Sequence, residues 1–151
     1  MLDMSDGIGF LIGDVSRVMR RRFDERARAI GVTRPQWRAL VTLSREEGVQ
    51  QGALAERLEV EPITLCRMID RLADAGLVER RRDPGDRRAW NIYLTDRSRP
   101  LLAKLRVVAD EVFELALDGV DEHERTMLTA TLERIRTNLS CPPDTRETAH
   151  G

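Results

Sequence analysis

Residues 51–95 read QGALAERLEVEPITLCRMIDRLADAGLVERRRDPGDRRAWNIYLT, and the hydrophobic period changes within them. Gln51 to Leu58 fits a short helix with Leu54 and Leu58 inward, and Pro62 opens the next helix in a first turn that needs no amide donor. Leu65, Met68, Ile69 and Leu72 form the inner face of that second helix, and Gly76 caps its end. Two short helices joined by Glu59-Val60-Glu61 make a helix-turn-helix. The period then falls to two. Leu77–Arg82 and Ala89–Leu94 read as strands joined by the turn 83-DPGD-86, a β-hairpin placed as a wing.

Outward from this module the pattern is helical on both sides. Upstream, Ile8, Leu11, Ile12, Val15, Val18, Met19, Phe23, Ala27 and Ile30 form one apolar stripe, ended by Gly31. Thr33 and Gln36 have capping-box spacing ahead of a helix through Trp37, Leu40, Val41 and Leu43 that should end near Gly48. Downstream, Thr95 and Asp96 are candidate caps for a long helix through Leu117. The stretch 121-DEHE-124 starts a last one, and Pro142-Pro143 stops it. The expected fold is mainly α with a small β-hairpin wing: one domain over 1–151, with a winged helix-turn-helix at 33–95. Dimerisation helices at 6–31 and 96–140 flank it, and 141–151 forms a disordered tail. The terminal stripes exceed what so small a module can cover, so a second copy is expected to bury them.

Composition narrows the function. The chain has 151 residues, 41% of them hydrophobic, and a net charge of −1. No apolar run reaches the roughly 20 residues of a membrane span, and MLDMSDGIGF lacks the basic start of a secretory signal. Two cysteines without ligand spacing suit a reduced, cytoplasmic protein. The two histidines, His123 and His150, have no ligand-like neighbours, so neither metal nor cofactor is expected. Without a phosphate loop or a nucleophile motif, an enzyme is not expected either.

Double-stranded DNA is the partner the charges favour. Of 25 basic residues only Lys104 is lysine, and five arginines crowd the hairpin. At the start of the second helix, Pro62 leads Thr64, Arg67 and Arg71, which share a face opposite the apolar one. Arg67 suits the O6 and N7 of a guanine, Thr64 a phosphate or a thymine methyl, and Arg71 a phosphate. The competing reading pairs Arg67 and Arg71 with Asp70 and Asp74 on a solvated surface. Arg87 and Arg88 at the hairpin tip suit a narrow minor groove. Asp86, two residues before Arg88, is expected to hold its guanidinium by a charge-assisted bond. Arg80, Arg81 and Arg82 on the stem are expected to touch flanking phosphates.

From about Ile8 to Leu139 the chain resembles the MarR family of bacterial winged-helix regulators. The most specific stretch is 83-DPGDRRAWNIYLT-95, similar to the family's Asp-x-Arg wing followed by strand and Leu-Thr. 72-LADAGLVERR-81 is also typical. 33-TRPQWRAL-40, 60-VEPITLCRMIDRLADAGLV-78 and 97-RSRPLL-102 look most like the SlyA-type members. The resemblance implies a homodimer on a pseudo-palindromic operator, with Thr64, Arg67 and Arg88 at the DNA and Asp86 orienting. It implies a repressor released by a small aromatic carboxylate. A SlyA-like activator or counter-silencer, or a winged module that binds protein instead of DNA, are the alternatives. The SlyA-type salicylate site aligns with Arg17, Thr33 and Trp37, against a reading of Trp37 as core and Arg17 as a surface cation. The family's N-terminal sensing cysteine has no counterpart. Cys66 lies inside the second helix, with a redox role beside Arg67 as the lesser reading.

Overall fold

The computed structural model describes residues 4–141, so the expected tail beyond Cys141 lies outside the described residues. Contacts group the chain into one unit through Phe113 and a second from Glu114. In chain order the elements are α1 (Met4–Ala29), α2 (Arg34–Arg45), β1 (Val49–Gln50), α3 (Gln51–Leu58) and α4 (Pro62–Asp74). There follow β2 (Val78–Arg82), β3 (Trp90–Leu94), α5 (Arg99–Ala116) and α6 (Glu122–Ser140). A 3-10 turn, Asp96–Ser98, leads into α5. Among the described residues no helix is long and apolar enough to cross a membrane.

The core of the first unit gathers one face from each central element. Leu40 and Leu43 of α2, Leu54 and Leu58 of α3, and Leu65, Ile69 and Leu72 of α4 are buried against Val78 and Ile92 of the sheet. Leu105 of α5 and Ala27 of α1 complete the cluster. On α4 the buried positions recur at intervals of four and three, which leaves the opposite side of the helix to solvent. The α3–α4 turn is tight: Glu59 takes a left-handed backbone with φ of 54°, and the Val60 N–H returns to the Ala55 carbonyl at 3.1 Å.

The wing is a three-stranded antiparallel sheet in the order β1-β3-β2 rather than a simple hairpin. Val49 pairs with Ile92, and Val78, Arg80 and Arg82 pair with Leu94, Ile92 and Trp90. β1 escapes a reading by periodicity because two residues carry none. It exists through its partner strand, and it directly follows Gly48, whose N–H donates to the Ile92 carbonyl at 2.9 Å. Gly48 has a φ of +77°, and a Cβ there would lie 2.8 Å from the Tyr93 hydroxyl. Gly48→Ala should therefore destabilise the fold by about 1–3 kcal/mol, read as a lower midpoint in urea unfolding.

Most caps follow the sequence, but Thr95 and Asp96 do not cap α5: they lead into the 3-10 turn before Arg99, and the Thr95 hydroxyl donates to the Gly76 carbonyl. Gly31 and Gly76 end α1 and α4 with φ of +81° and +75°. The Gln36 Oε1 accepts the Thr33 N–H at 3.0 Å. In the second unit, Asp121 and Glu124 close a reciprocal capping box at 2.9 and 3.0 Å. α6 buries none of its residues, and Met127, Leu128, Leu132 and Leu139 stand exposed along it. In the first unit, Phe23 and Ala27 pack into the core, but Ile8, Phe10, Leu11, Ile12 and Val15 of α1 face solvent.

α1 is fixed to α2 by a buried carboxylate. Asp24 accepts the Arg34 Nε–H at 2.6 Å and the Trp37 indole N–H at 2.7 Å, and Trp37 packs on Phe23 with ring centroids 4.4 Å apart. Burial pushes the Asp24 pKa up, but the bonds from Arg34 and Trp37 and the charges of Arg34 and Arg28 outweigh it and leave the carboxyl below its ordinary range. A depressed folded-state pKa stabilises the fold above the unfolded value of about 3.9, and that contribution is lost as pH falls through the lower folded value. Asp24→Asn should thus lower stability at neutral pH, with the gap to wild type closing below about pH 4 in urea titrations.

Candidate nucleic-acid interface

The outward face of α4 presents Pro62, Ile63, Thr64, Arg67 and Arg71, all exposed. Pro62 at the helix start and the burial of Leu65, Ile69 and Leu72 on the other side fix this orientation. Asp70, which could have neutralised the arginines, instead pairs with Arg80 Nη1 at 2.7 Å. Among the described residues the guanidinium groups of Arg67 and Arg71 have no hydrogen-bond or ionic partner. A helix with free cations along its solvent face can approach phosphates and base edges at little desolvation cost from broken pairs.

The wing tip is built by two aspartates acting on backbone amides. Asp83 Oδ1 accepts the N–H groups of Gly85 and Asp86 at 2.8 and 3.2 Å, and its Oδ2 accepts Gln50 Nε2 at 3.2 Å. The Gly85 amide, then the Gln50 and Asn91 side chains, hold the Asp83 carboxyl below the usual carboxylate range. Asp86 Oδ1 accepts the backbone N–H of Arg88 at 2.9 Å. The expected bond from Asp86 to the Arg88 guanidinium is therefore corrected: the carboxylate closes a local Asx turn, and it aims Arg88 through the main chain. A carboxylate two residues upstream reaches the amide without bending the long arginine side chain back. The Arg87 and Arg88 side chains are exposed and make no hydrogen bond or ion pair among the described residues, so both are free to extend.

The stem arginines all have partners within the fold, but only one of them is covered. Arg80 is largely covered and bonded to Gln51, Cys66 and Asp70. Arg81 bonds Glu79 and lies over the Tyr93 ring at 4.1 Å. Arg82 lies over Trp90 at 4.7 Å and donates to the Arg87 carbonyl at 2.7 Å. Strand alternation carries the signal that finds Arg80: it shares a face with Val78, which is buried. Asp83 is the other functional residue that reading by charge overlooks, since its work is on amides.

A family model described as the MarR family matches residues 32–90, the stretch that holds α2, the helix-turn-helix and the wing tip. The crystal structure of transcriptional regulator PA3341 is 35% identical, with 87% of this chain and 97% of that one covered and a TM-score of 0.76. This chain belongs to the MarR family. A MarR transcriptional regulator from Methanosarcina mazei Go1 is 29% identical over 88% of this chain and 96% of that one, with a TM-score of 0.77. The transcriptional regulator SlyA is 26% identical over 87% and 93%, with a TM-score of 0.72, so these matches do not single out the SlyA type. MarR-family regulators are non-enzymatic DNA-binding proteins that act as dimers.

For a MarR-family chain, the residues aligned with the SlyA-type ligand site have mixed surroundings. Arg17 is exposed and reaches Asp14 only at 3.5 Å. Thr33 is exposed at the start of α2, and Trp37 is half-buried with its indole N–H committed to Asp24. An open cleft of about 380 Å³ lies elsewhere in the first unit, lined by Arg26, Ile30, Lys104, Val107 and Glu111 among others. Cys66 and Cys141 are free thiols, and among the described residues no cluster of His, Cys, Asp and Glu could hold a metal.

The Asx role of Asp86 has a sharp consequence. Asp86→Asn keeps the side-chain oxygen that accepts the Arg88 amide, so its DNA affinity should stay within about twofold of wild type, whereas Asp86→Ala should lose several-fold. Anisotropy titrations of the two variants on one duplex separate the turn from a charge pair.

Proposed function

We infer that this chain is a transcriptional repressor that binds a pseudo-palindromic operator as a homodimer and leaves it when a small aromatic carboxylate binds. The observation that carries the reading is the free state of Arg67 and Arg71 on a helix whose neighbouring Asp70 is engaged elsewhere. Pro62 starts that helix at the major groove, Thr64 and Arg67 read bases or adjacent phosphates, and Arg71 holds a phosphate. Arg87 and Arg88 enter the minor groove on a tip shaped by Asp86.

The exposed apolar faces of α1 and α6 support the dimer: a monomer would leave them in water. In this reading 1–151 is a single MarR-type domain, with 33–95 as the reading module and 6–31 and 96–140 as dimerisation helices. The protein works in the cytoplasm. Two reading helices related by a twofold axis then require half-sites about 10 bp apart. For the ligand, Arg17 offers an exposed charge held only by a long pair with Asp14, Thr33 a hydroxyl and Trp37 a ring face, a set that suits an aromatic carboxylate. Binding there acts by population shift, lowering DNA affinity by the ratio of ligand affinities for the two forms.

Selection from a random duplex library tests the operator reading. It should return an inverted repeat with half-site centres about one helical turn apart, bound by two chains per duplex in light scattering. Enrichment of no repeat would contradict it. Salicylate added to the selected duplex should release the protein, and Arg17→Ala should blunt that release while leaving DNA binding intact.

A further inference from the structure

We propose that Arg80 is a positioning residue for DNA recognition: it locks the reading helix α4 to the wing, so that the two engage their grooves as one unit. The inference rests on the interface reading above and goes beyond it, because Arg80 makes no DNA contact in this account. All three nitrogens of its guanidinium are committed within the fold. Nε donates to Gln51 Oε1 of α3 at 3.0 Å, Nη1 meets Asp70 Oδ1 of α4 at 2.7 Å, and Nη2 donates to the Cys66 carbonyl of α4 at 3.2 Å. Nη2 also lies 3.8 Å from the Cys66 sulfur. The side chain is only 21% exposed, on the strand face it shares with Val78.

The placement of the two α4 anchors gives the arrangement its meaning. Cys66 and Asp70 sit one turn apart, and each directly precedes one of the free arginines, Arg67 and Arg71. Along a helix, successive residues are rotated by about 100°. Anchors that face the wing therefore set the angle at which their neighbours face outward. A planar fork with three partners fixes that rotation, whereas a single point charge would not. From the same strand, Arg82 donates to the Arg87 carbonyl at the tip. Side chains of β2 thus run from the anchors of α4 to the residue beside Arg88.

Rigid linkage makes the helix and tip contacts cooperative, since ordering one orders the other. The experiment uses the full chain and the duplex selected by wild type, with Arg80→Lys, Arg80→Ala and Gln51→Ala compared at temperatures where circular dichroism shows each folded. Arg80→Lys keeps the charge but cannot span three partners. It should lose about tenfold in operator affinity with no change in affinity for scrambled DNA, and with the wild-type slope of log K against log[salt]. Gln51→Ala should shift the same way by a smaller factor. In a double-mutant cycle, Arg67→Ala and Arg88→Ala should be coupled in wild type and additive in the Arg80→Lys background.

Wild-type affinity in Arg80→Lys, with a slope lowered by about 1 in Arg80→Ala, would make Arg80 a phosphate contact and overturn the proposal. Coupling that persists in the Arg80→Lys background would overturn it too, as loss of stability alone leaves the cycle unmoved. Failure of the interface reading looks different: Arg67→Ala and Arg88→Ala would then bind like wild type with Arg80 intact.

Discussion

Arg67→Ala should bind the proposed operator with about 5- to 150-fold lower affinity than wild type, the span that a bidentate arginine–guanine contact of about 1–3 kcal/mol implies. Arg67 is exposed on the outward face of α4 and has no partner among the described residues, so its removal should leave no orphaned charge in the fold. The unfolding midpoint should accordingly stay within about 0.5 kcal/mol of wild type, as for other surface changes. The loss should be concentrated at one base pair: a duplex mutated at that guanine binds wild type and Arg67→Ala almost alike. Arg71→Ala should weaken every duplex evenly and lower the salt slope by about 1. Affinity measured on a panel of single-base operator variants separates the two behaviours.

The second large effect is on stability. Leu65→Ala removes a fully buried side chain from the inner face of the same helix, packed with Ile69 and Leu72 against the core of α2, α3 and the sheet. Large-to-small changes at such sites cost about 2–5 kcal/mol, because transfer energy is lost and a cavity is left. Against a total of roughly 5–15 kcal/mol for a domain, that is enough to shift the urea midpoint steeply. The variant that remains folded should also bind DNA less well, since α4 presents Arg67 only while its inner face is held. A loss below about 1 kcal/mol would mean that α4 does not depend on this packing.

The module that reads DNA was legible because local rules decide it. Pro62 opens α4, Gly76 ends it, and the apolar positions 65, 69 and 72 specify its inner face without help from distant residues. The Asp121–Glu124 and Thr33–Gln36 caps are local for the same reason. What escaped depends on long-range or main-chain partners. β1 is two residues whose strand character comes from Ile92 and Asn91 across the sheet. Asp24 joins Arg34 and Trp37 ten and thirteen residues on, and Arg80 reaches Gln51 twenty-nine residues back. Charge counting assigns all five hairpin arginines to DNA, but Arg80 is largely covered and bonded within the fold, while Arg81 and Arg82 stay exposed over Tyr93 and Trp90. Asp86, expected to hold the Arg88 guanidinium, instead gives its oxygen to the Arg88 amide, and Asp83 does the same for Gly85.

The central claim is sequence-specific DNA reading by α4 and the wing tip together. Its most direct test is a fluorescence-anisotropy titration of wild type on the selected operator and on a scrambled duplex, across a salt series, beside Arg67→Ala and Arg88→Ala. Wild type should bind the operator on the order of 10⁻⁸ M or tighter at physiological salt and the scrambled duplex at least about 10³-fold more weakly, with a steep fall with salt. Each variant should lose most of that discrimination. Equal binding of both duplexes by wild type, or discrimination that survives in both variants, would contradict the claim.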